Sequence, residues 1–362
     1  MLIATLTLSA QTDSVGVVAN DTLPKKKLNW FKRAYMFADR VLSPPRDTNY
    51  VDTQQQYNWC AEVQLSGRFE QFQLDAGDDF NLRVTPKWRT RIGPFFGWRF
   101  AFLGYNIDLK SIFLNDDDTD LSASIYSAAF GLDLFYRRVG GNYNVKNLTI
   151  KGKDYSPLLH DHPFDGIKVG MTRISFYYVM NYKHFSHQAA YSQANRQLRS
   201  AGSPIVGISY AHNRMSMDWD KFANMVSDIN KTEYTSNTLY GQQKNDEFSL
   251  TGGYGYNWVF AKNWLAGAEL TGSLGYLLQH TATKTKDYSE EENEQGNFIK
   301  SFEDFSKKNI AFNGTLRMVV LYNNGPWFFG TQGYLFYYQY GNGLMMTRNM
   351  LGSVYLYVGF NF

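Results

Sequence analysis

The last ten residues of the chain, SVYLYVGFNF, alternate between apolar side chains and smaller or more polar ones. Counting back in steps of two gives Phe362, Phe360, Val358, Leu356 and Val354 on one face. Strict alternation with a period of two is typical of a β-strand with one apolar and one polar face. The sequence therefore predicts a strand here whose two faces meet different environments.

The same alternation recurs along most of the chain from Tyr57 onward. Between Phe248 and Phe260 the even positions are aromatic or leucine, apart from Gly252, and the odd positions are Ser, Thr, Gly, Asn and Val. Long amphipathic segments of this kind predict an all-β protein. We expect about twelve strands, at 57–74, 79–91, 94–110, 120–137, 141–151, 167–183, 203–215, 246–260, 264–281, 306–322, 326–341 and 350–362.

The connections between the predicted strands alternate in length. Short connections are expected at 92–94, 139–140, 261–263 and 323–325. Longer ones are expected at 111–119, 152–166, 216–245 and 282–305. Short turns on one side, long loops on the other and an even number of strands are typical of bacterial outer-membrane barrels. We therefore expect an antiparallel transmembrane β-barrel over residues 57–362, with both termini in the periplasm.

The composition agrees with a barrel in lipid. Aromatic residues make up 17% of the 362 residues, and Tyr and Trp gather where apolar and wet environments meet. A run of about 18 apolar residues, which a transmembrane helix needs, does not occur. The net charge of +3 argues against nucleic acid as a partner. Cys60 is the only cysteine, so an intramolecular disulfide is excluded.

The residues before the barrel form a separate segment. Residues 1–10 resemble the remnant of a signal peptide, with small residues at Ser9-Ala10 but without a basic leader. Residues 11–56 are expected to be periplasmic, with a helix over 24–42 that ends at Ser43-Pro44-Pro45. This helix and the segment 184–203 are candidate plugs for the barrel lumen.

Residues 181–203 interrupt the alternation and resemble a known family. Asn181-x-x-x-Phe185-Ser186, then Ala189-Ala190, a Gln, and Ser200-Ala201-Gly202-Ser203 are similar to a stretch in uncharacterised outer-membrane proteins common in Bacteroidota. Asp47-Thr48-Asn49-Tyr50-Val51 and Thr85-Pro86 also resemble that family, so the likeness covers most of the chain from about residue 45. The family is classed as a domain of unknown function. The resemblance therefore implies a location and a fold but no reaction.

One pair of residues raises the alternative of an enzyme. Outer-membrane lipid hydrolases use a His-x-Ser pair on one strand face, where the imidazole activates the hydroxyl, and His184 and Ser186 have this spacing. A third residue must orient the histidine, and Asn195 or Asp161 would have to serve. The predicted strand order places the pair at the periplasmic end, whereas those hydrolases act near the outer leaflet. We therefore expect a protein that is not an enzyme.

Charged residues are expected to form a ladder inside the lumen. Folding the strands about 75–78 and Gly93 places Glu70 near Arg83, Glu62 near Arg91, and Lys87 near Arg99. Ion pairs of this kind would stiffen the wall, whereas a basic stripe would attract anions along a pore. We favour the first interpretation. The predicted ladder consists of Glu62, Glu70, Arg83, Lys87, Arg89, Arg91, Arg99 and Asp133.

The remaining expectations concern partners and cofactors. Val358, Phe360 and Phe362 are expected to be the signal that the outer-membrane assembly machinery reads. Outer-membrane lipid is the expected surrounding, and 184–203 could contact other envelope proteins. No cofactor and no metal are expected, since Asp116, Asp118 and Asp120 lack the glycine and glutamate of a calcium loop. The expected role is a narrow pore for small solutes or a membrane anchor.

Overall fold

The structure is a computed structural model, and it describes most of the chain after residue 43. The described residues are Trp30, 36–37, 44–52, 57–75, 80–86, 88–98, 101–105, 107–108, 119–141, 143–230, 242–282, 310–341 and 346–362. Of the predicted helix at 24–42, Trp30, Met36 and Phe37 are helical, and the rest lies outside the described residues, as does the predicted signal remnant 1–10. Nearly all described residues belong to the compact unit Arg40–Phe362.

Strands dominate this unit. In chain order they are β1 (Val51–Asp52), β2 (Trp59–Asp75), β3 (Phe80–Pro86), β4 (Arg89–Trp98), β5 (Ala101–Tyr105), β6 (Ile107–Asp108), β7 (Thr119–Tyr126), β8 (Phe130–Gly140), β9 (Tyr143–Ile150), β10 (Lys153–Asp154), β11 (Pro163–Phe164), β12 (Ile167–Val179), β13 (Arg196–Gln197), β14 (Ala201–Met217), β15 (Gln242–Ala261), β16 (Trp264–Ala282), β17 (Ile310–Asn323), β18 (Trp327–Gly341) and β19 (Met346–Asn361). The described helices are α1 (Ser156–Leu159), α2 (His187–Tyr191) and α3 (Trp219–Asn230).

The strands form a closed antiparallel barrel, as the alternation predicts. From β12 to β19, each wall strand pairs with the next wall strand in the chain. β19 then pairs with β2, from Met346 opposite Asp75 to Asn361 opposite Cys60, and this seam closes the ring. Closure pairs the backbone polar groups of the wall, which is the condition for strands to cross a bilayer.

The two faces of the wall are as different as the sequence predicts. On β19 the outward residues Val354, Leu356, Val358, Phe360 and Phe362 are each at least 42% exposed. Their neighbours Ser353, Tyr357 and Asn361 are buried inside. The same holds on β15, where Phe248, Leu250, Tyr254, Tyr256, Trp258 and Phe260 are exposed. An outer surface this apolar fits the acyl chains of a bilayer.

Aromatic rings collect at one end of the barrel, where β2 begins and β19 ends. We call this the terminal end, and the other the opposite end. The rings of Trp59 and Trp98 lie 6.1 Å apart here, and those of Trp327 and Phe360 lie 5.6 Å apart. Rings at the edge of an apolar band are typical of the boundary between lipid and water.

The sequence places several strand ends wrongly between residues 87 and 151. The predicted turn at 92–94 lies within β4, which continues to Trp98. The predicted strand 120–137 is two strands, because β7 ends at Tyr126 and β8 begins at Phe130. Gly93-Pro94 has the sequence of a turn but lies in the sheet, whereas the buried Ser127-Ala128-Ala129 turns with Ser127 as its one turn-favouring residue. The turns predicted at 261–263 and 323–325 are confirmed to within one residue.

A one-residue shift separates β3 from β4, and both pair with β2. Gln73 lies opposite Arg83, whereas Ser66 lies opposite Arg91, so the register differs by one residue between the two pairings. An extra residue of this kind turns the following side chains to the other face. Leu82 and Val84 therefore face the core on β3, but Arg91 does so on β4.

An apolar core, which we call the end cluster, lies on one side of the ring at the opposite end of the barrel, with members on β2, β3, β9, β12 and β14 but none among the described residues of β15–β19. The strand β9 pairs with β3 and brings Tyr143, Val145 and Leu148 into this core. The helix α3 contributes Phe222, Met225 and Val226, on one face at helical spacing. The end cluster therefore occupies the barrel where the longer connections meet. None of the described helices is long and apolar enough to cross a membrane.

Candidate functional site: a plug segment inside the barrel

Residues 180–200, between β12 and β14, fold into the lumen at the terminal end. We call them the plug segment. Its central helix α2 is buried at every position. Its side chains reach the wall at distant points of the ring, including Tyr126 on β7, Glu269 on β16 and Tyr357 on β19. Contacts to strands so far apart in the ring place the segment inside the barrel, where 184–203 is one of the two candidate plugs predicted from the sequence.

The start of α2 is fixed by Ser186. Its hydroxyl oxygen accepts a hydrogen bond from the backbone N–H of Ala189 at 3.1 Å, which is the usual N-cap arrangement. The same hydroxyl donates to Oδ1 of Asn195 at 2.6 Å and accepts from Nη1 of Arg46 at 2.8 Å. Ser186 is fully buried. The hydroxyl of Ser186 therefore spends its hydrogen bonds on holding the helix α2 in place.

Gln188 and Arg46 tie the plug segment to the wall and to the residues before the barrel. Oε1 of Gln188 accepts from Nη2 of Arg46 at 2.7 Å and from Nδ2 of Asn195 at 2.8 Å. Its Nε2 donates to the carbonyl of Tyr126 at 2.6 Å. Burial lowers the pKa of Arg46 to about 10, so its guanidinium remains a cation at neutral pH. Arg46 therefore holds α2 with charge-assisted hydrogen bonds.

His187 begins a chain of polar and charged groups that crosses the lumen. Its Nε2 lies 2.9 Å from Oε2 of Glu269, and the other oxygen of Glu269 lies 4.0 Å from Nε of Arg317. Nη2 of Arg317 lies 3.3 Å from Oδ2 of Asp133 on β8. The hydroxyl of Tyr177 lies 3.3 Å from Nδ1 of His187. This ionic chain connects α2 to three separate wall strands.

A short strap of chain covers the plug segment at the terminal end. In the strap, residues 44–52, the strand β1 pairs with β13 of the plug segment. Nε of Arg196 donates to Oδ2 of Asp52 at 3.1 Å. Nε2 of His184 lies 3.4 Å from Oδ2 of Asp47. The strap therefore reinforces the position of the plug segment from outside the lumen.

A pocket of about 430 Å³ remains beside the plug segment. It is lined by Asn195 and Arg196 of the plug segment, and by Lys262 and Trp264 at the β15–β16 turn. Its size is that of a small-molecule site. The polar groups of Asn195 and Arg196 are already hydrogen-bonded within the protein.

The structure does not bring His184 and Ser186 together as a catalytic pair on a strand. Both residues lie in the plug segment outside any strand, so they do not share the strand face that the hydrolase alternative requires. Nδ1 of His184 lies 3.0 Å from Oδ1 of Asn181, and the Ser186 hydroxyl bonds to Arg46, Ala189 and Asn195 instead. Burial of Ser186 also keeps it from a lipid substrate at the barrel surface.

The partners expected within the charge ladder are also wrong in detail. Glu62 lies opposite Phe95 and Arg83 lies opposite Gln73, because the hairpin turns about two residues later than expected, which shifts the pairing by three to four residues. Glu70 forms its ion pair with Arg137 instead of Arg83. Asp133 pairs with Arg317. The side chains of Lys87, Arg89 and Arg99 lie outside the described residues.

The sequence gives little signal for the groups that hold the plug segment. His187 and Glu269 are 82 residues apart, and no local pattern connects them. Arg317 is on the polar face of a predicted strand, but its two acidic partners lie on other strands. Alternation along the strands predicts that Glu269 and Arg317 face inward. Their contact with the chain of groups that begins at His187 can be seen only in the folded structure.

Comparison with known proteins gives a family and distant structural neighbours. The model of a family described as "Domain of unknown function (DUF4421)" matches residues 45–362. No curated protein matches the chain. The outer membrane protease OmpT from Escherichia coli aligns at 6% identity and a TM-score of 0.34, covering 86% of this chain and 98% of that one. The outer membrane protein OprG from Pseudomonas aeruginosa aligns at 8% identity and a TM-score of 0.25, covering 85% and 97%.

Proposed function

The chain belongs to this family of unknown function, and we propose that it is a non-enzymatic barrel of the bacterial outer membrane that forms a narrow pore closed by its own plug segment. The proposal rests on the polar fastening of α2 within the lumen. The terminal end would face the periplasm and the longer connections would face outward.

The outer surface supports the membrane location. A water-soluble barrel would not expose Leu250, Leu270 and Leu274 at 63–72% of their surface. The aromatic rings at the terminal end lie where the headgroup region of one leaflet would begin. The outward row of Val358, Phe360 and Phe362 is the proposed signal for the assembly machinery.

The contacts of the plug segment support a pore that opens. A hydrogen bond to the wall can be exchanged for one to water at a net cost of about 0.5–1.5 kcal/mol, or about 1.5–3 kcal/mol when one partner is charged, as Glu269 is. His187, Gln188 and Asn195 bond to the wall or to each other in this way. The plug segment also buries Phe185 and Tyr191 in apolar contacts with the wall, but displacing it would lose less apolar burial than displacing the larger end cluster. The plug segment is therefore the part of the lumen that can be displaced.

Single-channel conductance of the refolded protein in a planar bilayer tests this proposal. We expect the wild type to be closed most of the time, with rare openings. Glu269→Gln weakens the bond to His187 and the attraction of Arg317, and should raise the open probability at least tenfold. Asn224→Ala, on the exposed face of α3, is the matched control and should behave as the wild type.

A variant lacking residues 187–195 provides the second arm of the test. If it migrates as a folded, heat-modifiable barrel and is permanently open, the plug segment is the closure. If both variants are folded but conduct no current, the proposed pore is wrong and the barrel is a membrane anchor. The terminal end, with the strap and the exposed Leu198, would then be the surface to examine for envelope partners.

A further inference from the structure

A belt of buried asparagines lines the lumen between the plug segment and the end cluster. Asn213, Asn245, Asn313 and Asn349 lie on four wall strands, and each is at most 2% exposed. All four are on the inward face, because the exposed residues of β14, β15, β17 and β19 lie at the alternate positions. We call these four residues the asparagine belt.

The members of the belt are close to one another. Asn213 and Asn245 are direct cross-strand partners on β14 and β15, which places their Cα atoms about 4.5–5.5 Å apart. Asn313 and Asn349 flank Tyr338, since each is its cross-strand partner on one side. Glu247, two residues after Asn245 on β15, reaches Asn313, because its Oε1 accepts from Nδ2 of Asn313 as well as from the hydroxyl of Ser249.

The glutamate reaches across β16 because that strand has a glycine there. A Cβ on Gly275 would lie 2.7 Å from Oε1 of Glu247 and 2.5 Å from the hydroxyl of Ser249. A contact that short is not tolerated, so any larger residue would push Glu247 away from Asn313. Gly275 thus leaves the space in which Glu247 of β15 can bond to Asn313 of β17.

The belt has hydrogen-bonding capacity that the described part of the protein does not use. Among the described residues, neither Nδ2 nor Oδ1 of Asn245 has a partner, and the same is true of Asn349. Oδ1 of Asn213 and Oδ1 of Asn313 are also without one. Buried polar groups are nearly always hydrogen-bonded, so these amides call for polar partners that the described residues do not supply.

We propose that the asparagine belt binds a small uncharged solute rich in hydroxyl groups. A carboxamide offers a donor and an acceptor, and a hydroxyl group offers both in return. The belt and Glu247 include no cationic side chain, and the inward-facing Arg137 on the nearby strand β8 is already paired with Glu70. An apolar solute would leave the amides unpaired at a cost. A role of the asparagine belt in selecting transported solutes rests on the proposed pore. Binding of a solute by the belt does not depend on the pore.

Trapping during refolding tests the site without requiring the pore to open. The full chain is refolded in detergent with radiolabelled D-glucose, the barrel fold is checked by heat-modifiable migration, and free sugar is removed by gel filtration. We expect close to one glucose retained per barrel, and at least tenfold less of D-gluconate, which has similar hydroxyls but a carboxylate. Conductance is measured separately, so a silent barrel that retains glucose would refute the pore and leave the site.

Variants of the belt decide whether retained sugar lies there. Asn245→Leu and Asn349→Leu should each lower the retention at least tenfold, and Asn349→Ser serves if a leucine variant does not fold. Asn224→Ala should retain as much glucose as the wild type. No retention by the wild type, equal retention of gluconate, or retention unchanged in folded belt variants would overturn the assignment.

Discussion

At the scale of single residues, the fit between plug segment and wall depends on aromatic rings that lie over glycines. Tyr177 on β12 is the cross-strand partner of Gly131 on β8. A Cβ on Gly131 would lie 2.2 Å from the ring of Tyr177, so only glycine leaves the ring where its hydroxyl meets His187. Gly131 therefore affects the ionic chain indirectly, through the position of the Tyr177 ring.

Gly131→Ala should loosen the plug segment and destabilise the barrel. The added methyl group displaces Tyr177 from His187, and overpacking of this kind costs about 1–3 kcal/mol. Urea unfolding of the refolded protein, followed by tryptophan fluorescence, measures the change. Gly314→Ala is the matched control, because nothing lies within 4 Å of a Cβ there. Equal stability of the two variants would show that the ring over Gly131 does not constrain the wall.

At the scale of elements, the end cluster depends on the amphipathic helix α3. Phe222 is fully buried in it, and its ring packs edge-on to Phe80 at 5.6 Å and Phe164 at 6.1 Å. On the outer side Nζ of Lys221 lies 2.8 Å from Oδ2 of Asp165, an exposed pair that raises the pKa of Lys221. Exposed pairs contribute little to stability, so the apolar face holds the helix.

Phe222→Ala should release α3 from the barrel without opening the wall. Replacing a buried phenylalanine by alanine lowers stability by about 3–5 kcal/mol. We expect this loss to be confined to the end cluster. Hydrogen exchange should rise throughout 219–230 and stay low in the β15–β16 pairing. Asn224→Ala, on the exposed face, should leave exchange in the helix unchanged. Exchange that rises equally in the wall would mean that the end cluster and the barrel unfold together.

The elements also show what the sequence could and could not predict. Alternation identified the outward faces of β15 and β19 correctly, because lipid selects for apolar residues at every second position. It failed between residues 87 and 151, where one extra residue before β4 reverses the faces and where 127–129 turns without Gly or Pro. The asparagine belt was missed for another reason: polar residues on an inward face look alike until the pairing of strands shows which of them meet.

At the scale of the whole molecule, the barrel depends on the seam between β2 and β19. Trp59 and Phe362 exchange backbone hydrogen bonds of 3.0 and 2.9 Å across the seam. The next pair, Cys60 and Asn361, is then of the non-hydrogen-bonded kind, with Cα atoms about 4.5 Å apart. Both side chains are buried on the inward face. This distance is within the range of a disulfide.

Asn361→Cys should allow a disulfide with Cys60 that locks the seam. Oxidised protein should then migrate as a faster band in denaturing gels without reductant, and should return to the position of the wild type after reduction. Phe360→Cys is the control, because its side chain faces lipid on the other side of the wall and should not crosslink. Failure of the Asn361→Cys variant to crosslink when folded would contradict the register of the seam.

The seam also sets the order in which the molecule can form. Arg68 and Ser353, whose side chains are hydrogen-bonded across it, lie 285 positions apart in the chain. Hairpins such as β15–β16 can form locally, but the ring can shut only after its most distant segments meet, and contacts of such long range form slowly. Until then each intermediate has two unpaired strand edges and an exposed apolar surface, and both features promote aggregation. We therefore expect the time spent unclosed to limit the yield of this protein more than its final stability does.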